Sequence, residues 1–499
     1  MNLSQRTIKA GGWQLVAVVT KAAMQLLVLA ILARHVLPVE FGYIAMANMV
    51  MVFIDMFADA GMGPAIIQKD VLTEEHIRVG FFLSIILGIF FVSLLWIFSP
   101  SIAAFFKTDN LVPLIRCLGF SALITKLSIV SRSRIERDMR FDILMWVDVG
   151  SYLLGYALVG IVMAILGYGA WAIVMGKLTQ CSLQTLCLLL IRPNSIKPIF
   201  SGYVYKELLT YGGGLTLARM FDNMASQGDY FIIGRFLGSA PLGIYDRASS
   251  IMAMPGQYLN LVLDKTLFPA MSQAQTQPKR LEKAYFMSTN IVSTLLIPLT
   301  ILMLILAPEI ILFLLGSNWT SAILPFRILV ITVIFRIFMN ISDTLMRATG
   351  AVYANAIRKM ILAFLIIFGS WIGQFWGLSA VAVAVDIAVL IGYTLVMQLT
   401  IKIIGCKILD YFKIHIHGLV IGCILFLTIF PIVIVLRSYM NSEFLILFVS
   451  LAFSSLLMML ILLLYPKLLG ESVLEFLDHV LVMLKLEKSS ISLLKIRRI

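Results

Sequence analysis

Long apolar stretches are the feature that most constrains this chain. About fourteen of them reach the roughly 20 residues that an α-helix needs to cross a bilayer. Hydrophobic residues make up 61% of the chain and charged residues 13%, whereas a soluble domain carries about 25% charged residues. The sequence therefore predicts an all-α polytopic membrane protein with about fourteen transmembrane helices. The stretches lie near residues 12–33, 40–61, 79–99, 111–130, 143–166, 169–191, 208–233, 241–262, 288–307, 321–340, 355–374, 377–400, 417–436 and 444–465.

The net charge of +13 is distributed unevenly along the chain. If the N-terminus is cytoplasmic, about 27 Lys and Arg side chains fall in cytoplasmic segments, about four in outer loops and about eight within spans, as the positive-inside rule requires. The four outer residues are Arg34, Lys107, Arg235 and Arg437. This asymmetry predicts an even number of spans with both termini in the cytoplasm. It also accounts for the positive charge without a nucleic-acid partner.

Two unusual segments indicate an internal duplication. ARHVLPVEFGYIAMA begins at residue 33 and GRFLGSAPLGIYDRA at residue 234, so that Gly243 follows Gly42 by 201 positions. Further along, Gly377 follows Gly169 by 208 positions. An ordered series of matches at a nearly constant offset is typical of a repeat. Because each repeat holds six spans, the two halves have the same orientation, as in several secondary transporters.

The repeat and the loop composition together predict the domain organisation. We expect two pseudo-symmetric six-helix lobes, a linker between them, two extra helices, and a tail whose apolar side chains recur at helical spacing. Such a basic, amphipathic tail is typical of a helix lying on anionic lipid. The predicted boundaries are 1–190 for the first lobe, 191–207 for the cytoplasmic linker, 208–401 for the second lobe, 402–466 for the extra helices and 467–499 for the tail.

Ionisable side chains inside the predicted spans are the candidate binding residues. Such a side chain costs at least about 2.5–3.5 kcal/mol at membrane depth, so it needs a wet cavity, a partner or a function. Spans one, two, seven and eight are equivalent under the repeat, and their charges would line a cavity for a polar or anionic headgroup. The candidates are Lys21, Asp55, Asp59, Arg219, Asp222 and Arg247.

A structural interpretation of the same charges stays open. Arg219 and Asp222 are spaced to pair on one helix, and long basic side chains can extend to the interface. Asp55 and Asp59 lie one turn apart and repel each other, so they need a cation, a basic partner or a proton. Structural pairing is an equally good interpretation of the intramembrane charges Lys126, Lys177, Arg336 and Asp386.

Enzyme chemistry finds little support in the sequence. No His, Cys or carboxylate cluster has catalytic or metal-ligand spacing, and no GxxxxGK[ST] motif occurs. The outer loops are too short for a catalytic domain. We therefore expect a non-enzymatic protein without a cofactor or metal site, in which a proton or sodium gradient could supply energy.

Several motifs resemble, in the same order, those of bacterial polysaccharide exporters. The chain is similar to the Wzx-type flippases of lipid-linked oligosaccharides, in particular the branch with the colanic-acid exporter. They form part of the MOP superfamily, with the multidrug (MATE) antiporters and the lipid II flippase. The resemblance covers about residues 5–400 and rests on LARHVLPVEFGYIAMANMVMVFIDMFADAGMGPAIIQ, RIERDMRFD, GYGAWAIV, GDYFIIGRFLGSAPLGIYDRASSIMAMP, LFPAMSQAQ and LLGSNW.

The resemblance implies a fold and a function. It implies two six-helix lobes around a central cavity and an undecaprenyl-pyrophosphate-linked glycan carried by alternating access across the bacterial inner membrane. It further implies membrane lipid, a polymerase and a chain-length regulator as partners in cell-surface polysaccharide biosynthesis. In that superfamily the first, second, seventh and eighth helices line the cavity. Arg247 matches an LGxYxRA pattern typical of the branch, whereas Asp246 departs from it and could pair with Arg247.

Other functions stay open at this point. A small-molecule or cation antiporter of the same fold would use Asp55 and Asp59 as its ion site. An integral-membrane glycan polymerase or glycosyltransferase would need a larger loop bearing acid and base residues. A scaffold without transport activity would leave the intramembrane charges without an evident purpose.

Overall fold

The regular secondary structure is helical throughout the part of the chain that the structure describes. The structure is a computed structural model, and it describes residues 20–59, 62–69, 72–194, 203, 223–224, 226–440, 442–470 and 473–475. No strand occurs in these ranges. The all-α class predicted from the sequence is thus what the described residues form.

The helices of the first half follow one another with short connections. In α6 the residues Tyr152–Val159 form a π-helical segment, and the π-helical turn Ile233–Leu237 follows α8 directly. The helices are α1 (20–35), α2 (Pro38–Asp59), α3 (Met62–Gln68), α4 (Glu74–Phe106), α5 (Leu111–Arg137), α6 (Phe141–Ile165), α7 (Ala170–Ile191), α8 (226–232) and α9 (Ser239–Ala274).

The second half has the same character. A short 3-10 segment, Ser317–Ala322, connects α11 to α12, and another, Pro466–Leu469, follows α18. The helices are α10 (Pro278–Ile305), α11 (Ala307–Leu315), α12 (Ile323–Val330), α13 (Val333–Ala348), α14 (Val352–Gly373), α15 (Leu378–Ile404), α16 (Ile408–Lys413), α17 (Ile416–Tyr439) and α18 (Glu443–Leu464).

Most of the predicted spans coincide with helices that can cross a membrane. Within the described residues, 10 helices are long and apolar enough, or 11 if a pair bent by 44° at the α12–α13 junction is one broken span. Each of them overlaps one predicted span. Of the other predicted spans, those near 12–33 and 208–233 begin outside the described residues, and the one near 241–262 lies within α9. The total of fourteen stays a prediction.

Packing divides the chain into two compact units, which differ in extent from the predicted lobes. The first unit is Met1–Asp246 with Leu314–Trp319 and Ser370–Val381. The second is Arg247–Phe313 with Thr320–Gly369 and Ala382–Ile499. We call the two duplicated segments, residues 33–47 and 234–248, the corners. Most of the second corner, residues 234–246, packs with the first unit, whereas the repeat assigns it to the second lobe. The lobe boundaries and the layout of the lobes stay predictions.

In the first unit, the two duplicated corners pack against each other through glycine. A Cβ atom on Gly42 would lie 1.8 Å from the carbonyl oxygen of Ser239, and one on Gly243 would lie 1.9 Å from that of Pro38. Ser239 follows Pro38 by the same 201 positions that separate the glycines. The two contacts are therefore the same contact, made once from each copy of the repeat. Only a residue without a Cβ permits this backbone-to-backbone approach.

The indole ring of Trp319 packs into the same region of the first unit. The Trp319 side chain, from the LLGSNW motif, is fully buried, and its Nε1 donates a hydrogen bond to the Ala33 carbonyl oxygen at 2.8 Å. Its ring meets the Phe41 ring edge-on at 5.3 Å. The carbonyl groups in the last turn of a helix have no partner within that helix. Trp319 supplies one for α1.

In the second unit, a buried ion pair attaches the C-terminal helices. Arg437 donates to both carboxylate oxygens of Glu309, at 2.7 and 2.9 Å, and to the Ile305 carbonyl oxygen at 2.9 Å. Arg437, predicted in an outer loop, lies in the last turn of α17 instead. The same helices share a hydrophobic cluster whose buried side chains include Ile305, Ile421, Leu425, Ile429, Ile446 and Ile461.

Outward-facing side chains suit a lipid environment. Leu190, Leu427 and Phe448 are 74%, 71% and 62% exposed. In water such side chains would form an extended apolar surface that soluble monomers rarely tolerate. The protein is therefore a multi-pass membrane protein whose apolar surface faces hydrocarbon.

We predict that Gly42→Ala and Gly243→Ala each prevent correct folding. The added methyl would overlap a backbone carbonyl, which cannot move aside as a side chain can, so the cost exceeds the roughly 1–3 kcal/mol of ordinary overpacking. The measurement is the yield and thermal unfolding of detergent-purified protein. Gly150→Ala is the matched control, because a Cβ there meets nothing within 4 Å. Wild-type stability of either corner variant would contradict the packing described.

Candidate substrate-binding region

The structure describes three of the six predicted binding side chains. Lys21 lies on α1, Asp55 on α2 and Arg247 on α9, and all three are partly exposed. The side chain of Asp59 lies outside the described residues, although its backbone belongs to α2, and Arg219 and Asp222 lie outside them entirely. Their grouping into one cavity stays a prediction.

Asp55 has a basic partner on a neighbouring helix. Its Oδ1 lies 3.7 Å from Nζ of Lys126 on α5. The two sites differ in environment, because the Lys126 side chain is 2% exposed and the Asp55 carboxylate 47%. A buried ammonium needs a counter-ion, since its desolvation is otherwise uncompensated. Of the possible partners for Asp55, the structure therefore supplies a basic side chain, and the Asp55 side of the pair is about half exposed.

A buried carboxylate, Asp229, is held by a tyrosine from the 234–248 corner. Asp229 is 6% exposed, and its Oδ2 accepts a hydrogen bond from the Tyr245 hydroxyl at 2.6 Å. Its Oδ1 accepts from the backbone N–H of Tyr230 at 3.0 Å. Tyr245 is the tyrosine of the LGxYxRA pattern. Its hydroxyl therefore links α9 to Asp229 on α8.

Asp148 takes part in a network near one end of α5. Arg132 donates to both Asp148 oxygens, at 2.9 and 3.0 Å, and also to Glu136 at 3.0 Å. The Gln184 amide donates to Asp148 at 2.7 Å. A bidentate arginine–carboxylate pair is the geometry that best satisfies both ions. This intramembrane charge thus has a structural partner.

Arg116 is likewise occupied. Its Nε donates to the Ser99 hydroxyl at 2.9 Å, and its guanidinium lies 5.2 Å from the centre of the Trp96 ring. A guanidinium over an indole gains cation–π attraction. Arg116 therefore fastens α5 to α4.

The RIERDMRFD motif secures the ends of neighbouring segments. Arg137 donates to the carbonyl oxygens of Ile66 and Ile67, at 3.0 and 3.3 Å, and to that of Lys69. These carbonyls belong to the end of α3, where a cation is favourable. Asp138 accepts a hydrogen bond from Arg192, at the start of the predicted linker. The motif therefore connects the end of α5 to α3 and to the start of the predicted linker, within the first unit.

Within the described ranges, no group of three or more His, Cys, Asp or Glu side chains is placed to hold a metal ion. The charged side chains described above make ion pairs and hydrogen bonds with partners in the protein. The side chains of Lys21 and Asp55 retain partial solvent exposure.

Two of these partnerships cannot be predicted from spacing alone. Spacing along one helix does not show which helix packs beside it, so the sequence does not pair Lys126 with Asp55. A buried tyrosine normally needs a partner for its hydroxyl, and Asp229, a carboxylate 16 positions before Tyr245, is the signal that the sequence offers.

Comparison with known proteins places these features in context. A family model described as "Polysaccharide biosynthesis protein" matches residues 31–324. A Klebsiella pneumoniae "uncharacterized membrane protein in cps region" is 25% identical, covering 82% of this chain and 86% of its own. The teichuronic acid biosynthesis protein TuaB of Bacillus subtilis is 24% identical, covering 70% and 72%. The lipopolysaccharide biosynthesis protein WzxC of Escherichia coli is 22% identical, covering 78% and 79%.

Solved structures establish the fold. The lipid II flippase MurJ, in an inward closed conformation, superposes with a TM-score of 0.69 at 15% identity, over 88% of this chain and 97% of that one. A MATE-family multidrug resistance transporter in an inward-facing conformation gives a TM-score of 0.61 at 14% identity, over 77% and 96%. The chain therefore has the fold shared by these two transporters.

We predict that Asp55→Asn destabilises the protein by about 1–3 kcal/mol, because it removes the carboxylate that lies 3.7 Å from the buried Lys126 ammonium. Adding Lys126→Met should recover most of that loss, since the buried ammonium is then gone. Thermal unfolding of the two single variants and the double variant measures the coupling. Asp410→Asn, in an exposed pair with Lys413 at 3.0 Å, is the control and should change little. Additive effects would contradict a direct Asp55–Lys126 interaction.

We predict that Tyr245→Phe lowers stability by about 1–3 kcal/mol, because it removes a hydrogen bond to a buried carboxylate. The ring still fills its site, so any loss reports on the hydroxyl and Asp229. Tyr353→Phe, at an 88% exposed tyrosine, provides the control in the same unfolding assay. Equal melting temperatures for both variants would refute this role of Tyr245.

Proposed function

The chain belongs to the polysaccharide biosynthesis protein family, and from this premise we propose that it is a flippase for lipid-linked oligosaccharides. The substrate is an undecaprenyl-pyrophosphate-linked repeat unit, moved from the cytoplasmic to the outer leaflet of the bacterial inner membrane. The family match over residues 31–324 carries the proposal. The names of the relatives, which refer to a cps region, teichuronic acid and lipopolysaccharide, support the substrate class.

Because its head group is polar, this substrate needs a protein in order to cross the bilayer. Its head carries a diphosphate and many hydroxyl groups, and these would lose their hydrogen-bond partners in hydrocarbon. A cavity with basic side chains can bind the diphosphate, for which the forked guanidinium of arginine is well shaped. The polyprenyl tail stays in the surrounding lipid while the head crosses.

Positive charge for the diphosphate comes from Lys21, Arg219 and Arg247. The carboxylates of Asp55, Asp59 and Asp222 accept hydrogen bonds from sugar hydroxyls and balance the basic groups. The exposed fraction of Asp55, 47%, supports a role for that carboxylate beyond its pairing with Lys126.

Transport proceeds by alternating access, with both termini in the cytoplasm. A polymerase and a chain-length regulator of the same pathway receive the flipped unit. Deleting the gene tests this function in the host: lipid-linked repeat units should accumulate inside while surface polymer disappears. A small-molecule antiporter would instead leave the polymer intact and change drug or ion sensitivity.

We predict that Lys21→Gln and Arg219→Gln each reduce export of the lipid-linked unit by about 10-fold or more. A charge-assisted hydrogen bond contributes about 1.5–3 kcal/mol, and a glutamine side chain cannot restore the charge. The measurement is surface polymer and accumulated precursor at matched protein levels. Lys402→Gln and Arg280→Gln, at exposed positions, are the paired controls. Normal export in the Lys21 and Arg219 variants would remove both residues from the site.

A further inference from the structure

A buried carboxyl group lies beside the bend between α12 and α13. The two helices are bent by 44° relative to each other, and Thr332 lies at the junction. Asp386, on α15, is 7% exposed, and the Thr332 side chain is fully buried. All of these residues belong to the second unit. Broken membrane helices of this kind often mark binding sites in transporters.

The number of hydrogens at this junction points to a protonated acid. The Thr332 hydroxyl oxygen lies 2.9 Å from Asp386 Oδ1 and 3.0 Å from the Leu329 carbonyl oxygen. A threonine hydroxyl has one hydrogen, so it can donate to only one of two acceptors. Both contacts become hydrogen bonds if Asp386 carries a proton and donates it to Thr332, while Thr332 donates to Leu329.

The charged groups around Asp386 are compatible with a proton on its carboxyl group. Arg336, one turn beyond Thr332 on α13, is the charged group that acts electrostatically on Asp386. Across the described residues, no basic nitrogen lies within 4.0 Å of the Asp386 carboxyl, and the buried Nε of Arg336 has no hydrogen-bond partner. The next titratable side chain along α15 is Tyr393, seven residues further on, and its hydroxyl donates to Tyr411.

We propose that Asp386 is a proton-binding site of the second unit, with Thr332 as the acceptor and Arg336 as the alternative partner. When the proton leaves to water at the bend, the carboxylate pairs with the Arg336 guanidinium. The side chain that links Asp386 on α15 to the helix junction then changes from Thr332 to Arg336. The site thus provides a local two-state element at a helix break, and it goes beyond the proposed function because it does not depend on the transported substrate.

The ligand is a proton rather than a metal cation because oxygen atoms are few. Hard cations such as Ca²⁺ take 6–8 oxygen ligands. The described contacts of the carboxyl bring one hydroxyl oxygen to it, with the Leu329 carbonyl oxygen behind. A proton needs one acceptor, which Thr332 provides.

Infrared spectroscopy of the full-length protein in lipid nanodiscs tests the assignment. At neutral pH the wild type should show a C=O stretching band of a protonated carboxyl group, and Asp386→Asn should abolish that band. Asp109→Asn, at an exposed loop carboxylate, is the matched control and should retain it. Thr332→Val should move the band to the higher frequency of a carboxyl group without a hydrogen bond. Arg336→Gln should shift loss of the band by at least one pH unit toward alkaline pH.

Three results would overturn the proposal. One is a band that survives Asp386→Asn, and a second is a band frequency that Thr332→Val leaves unchanged. The third is loss of the band on adding sodium chloride at constant pH, which would assign the site to a metal cation. The Thr332 variant keeps the test decisive if Asp386→Asn fails to fold. No substrate is added, so a negative result here is distinct from failure of the flippase proposal.

Discussion

The close approach of Gly42 and Gly243 is the constraint on which the first unit depends. Each glycine lies against a backbone carbonyl of the other copy of the repeat, at Cβ distances below 2 Å that no side chain could occupy. The contact fixes where α2 and α9 begin relative to each other. It therefore also determines where Tyr245, on α9, meets Asp229. A duplicated sequence thus produces a local two-fold contact, with glycine required at both equivalent positions.

Charge satisfaction is the second organising principle. Hydrocarbon offers no hydrogen bonds, so an ionisable side chain must find its partner inside the protein. Asp148 and Arg116 meet this requirement through fixed polar partners. Asp55 meets it by pairing with Lys126 and still stays about half exposed. A charge of this kind can contact its partner and a ligand at the same time.

The sequence predicted the helices better than it predicted their partners. Apolar length depends on the chain alone, so the described membrane helices fall where hydropathy expects them. The offset of 201 also predicted equivalent roles for Gly42 and Gly243 without showing that the two touch. Partnerships such as Asp55 with Lys126 depend on which helices become neighbours, which no spacing along one helix encodes. The same holds for Arg437, whose carboxylate partner lies 128 positions away.

The motifs that identify the family build its framework. Five residues of these motifs contact backbone or a buried carboxylate of the protein itself: Gly42, Gly243, Tyr245, Trp319 and Arg137. Substitution at such positions is costly whatever the cargo, because a buried partner would be left unsatisfied or a backbone would collide. Similarity in these motifs therefore indicates the fold and the general class of transporter. On the proposed function, discrimination between sugars would then depend on side chains other than these five, where a change alters binding without disturbing the framework.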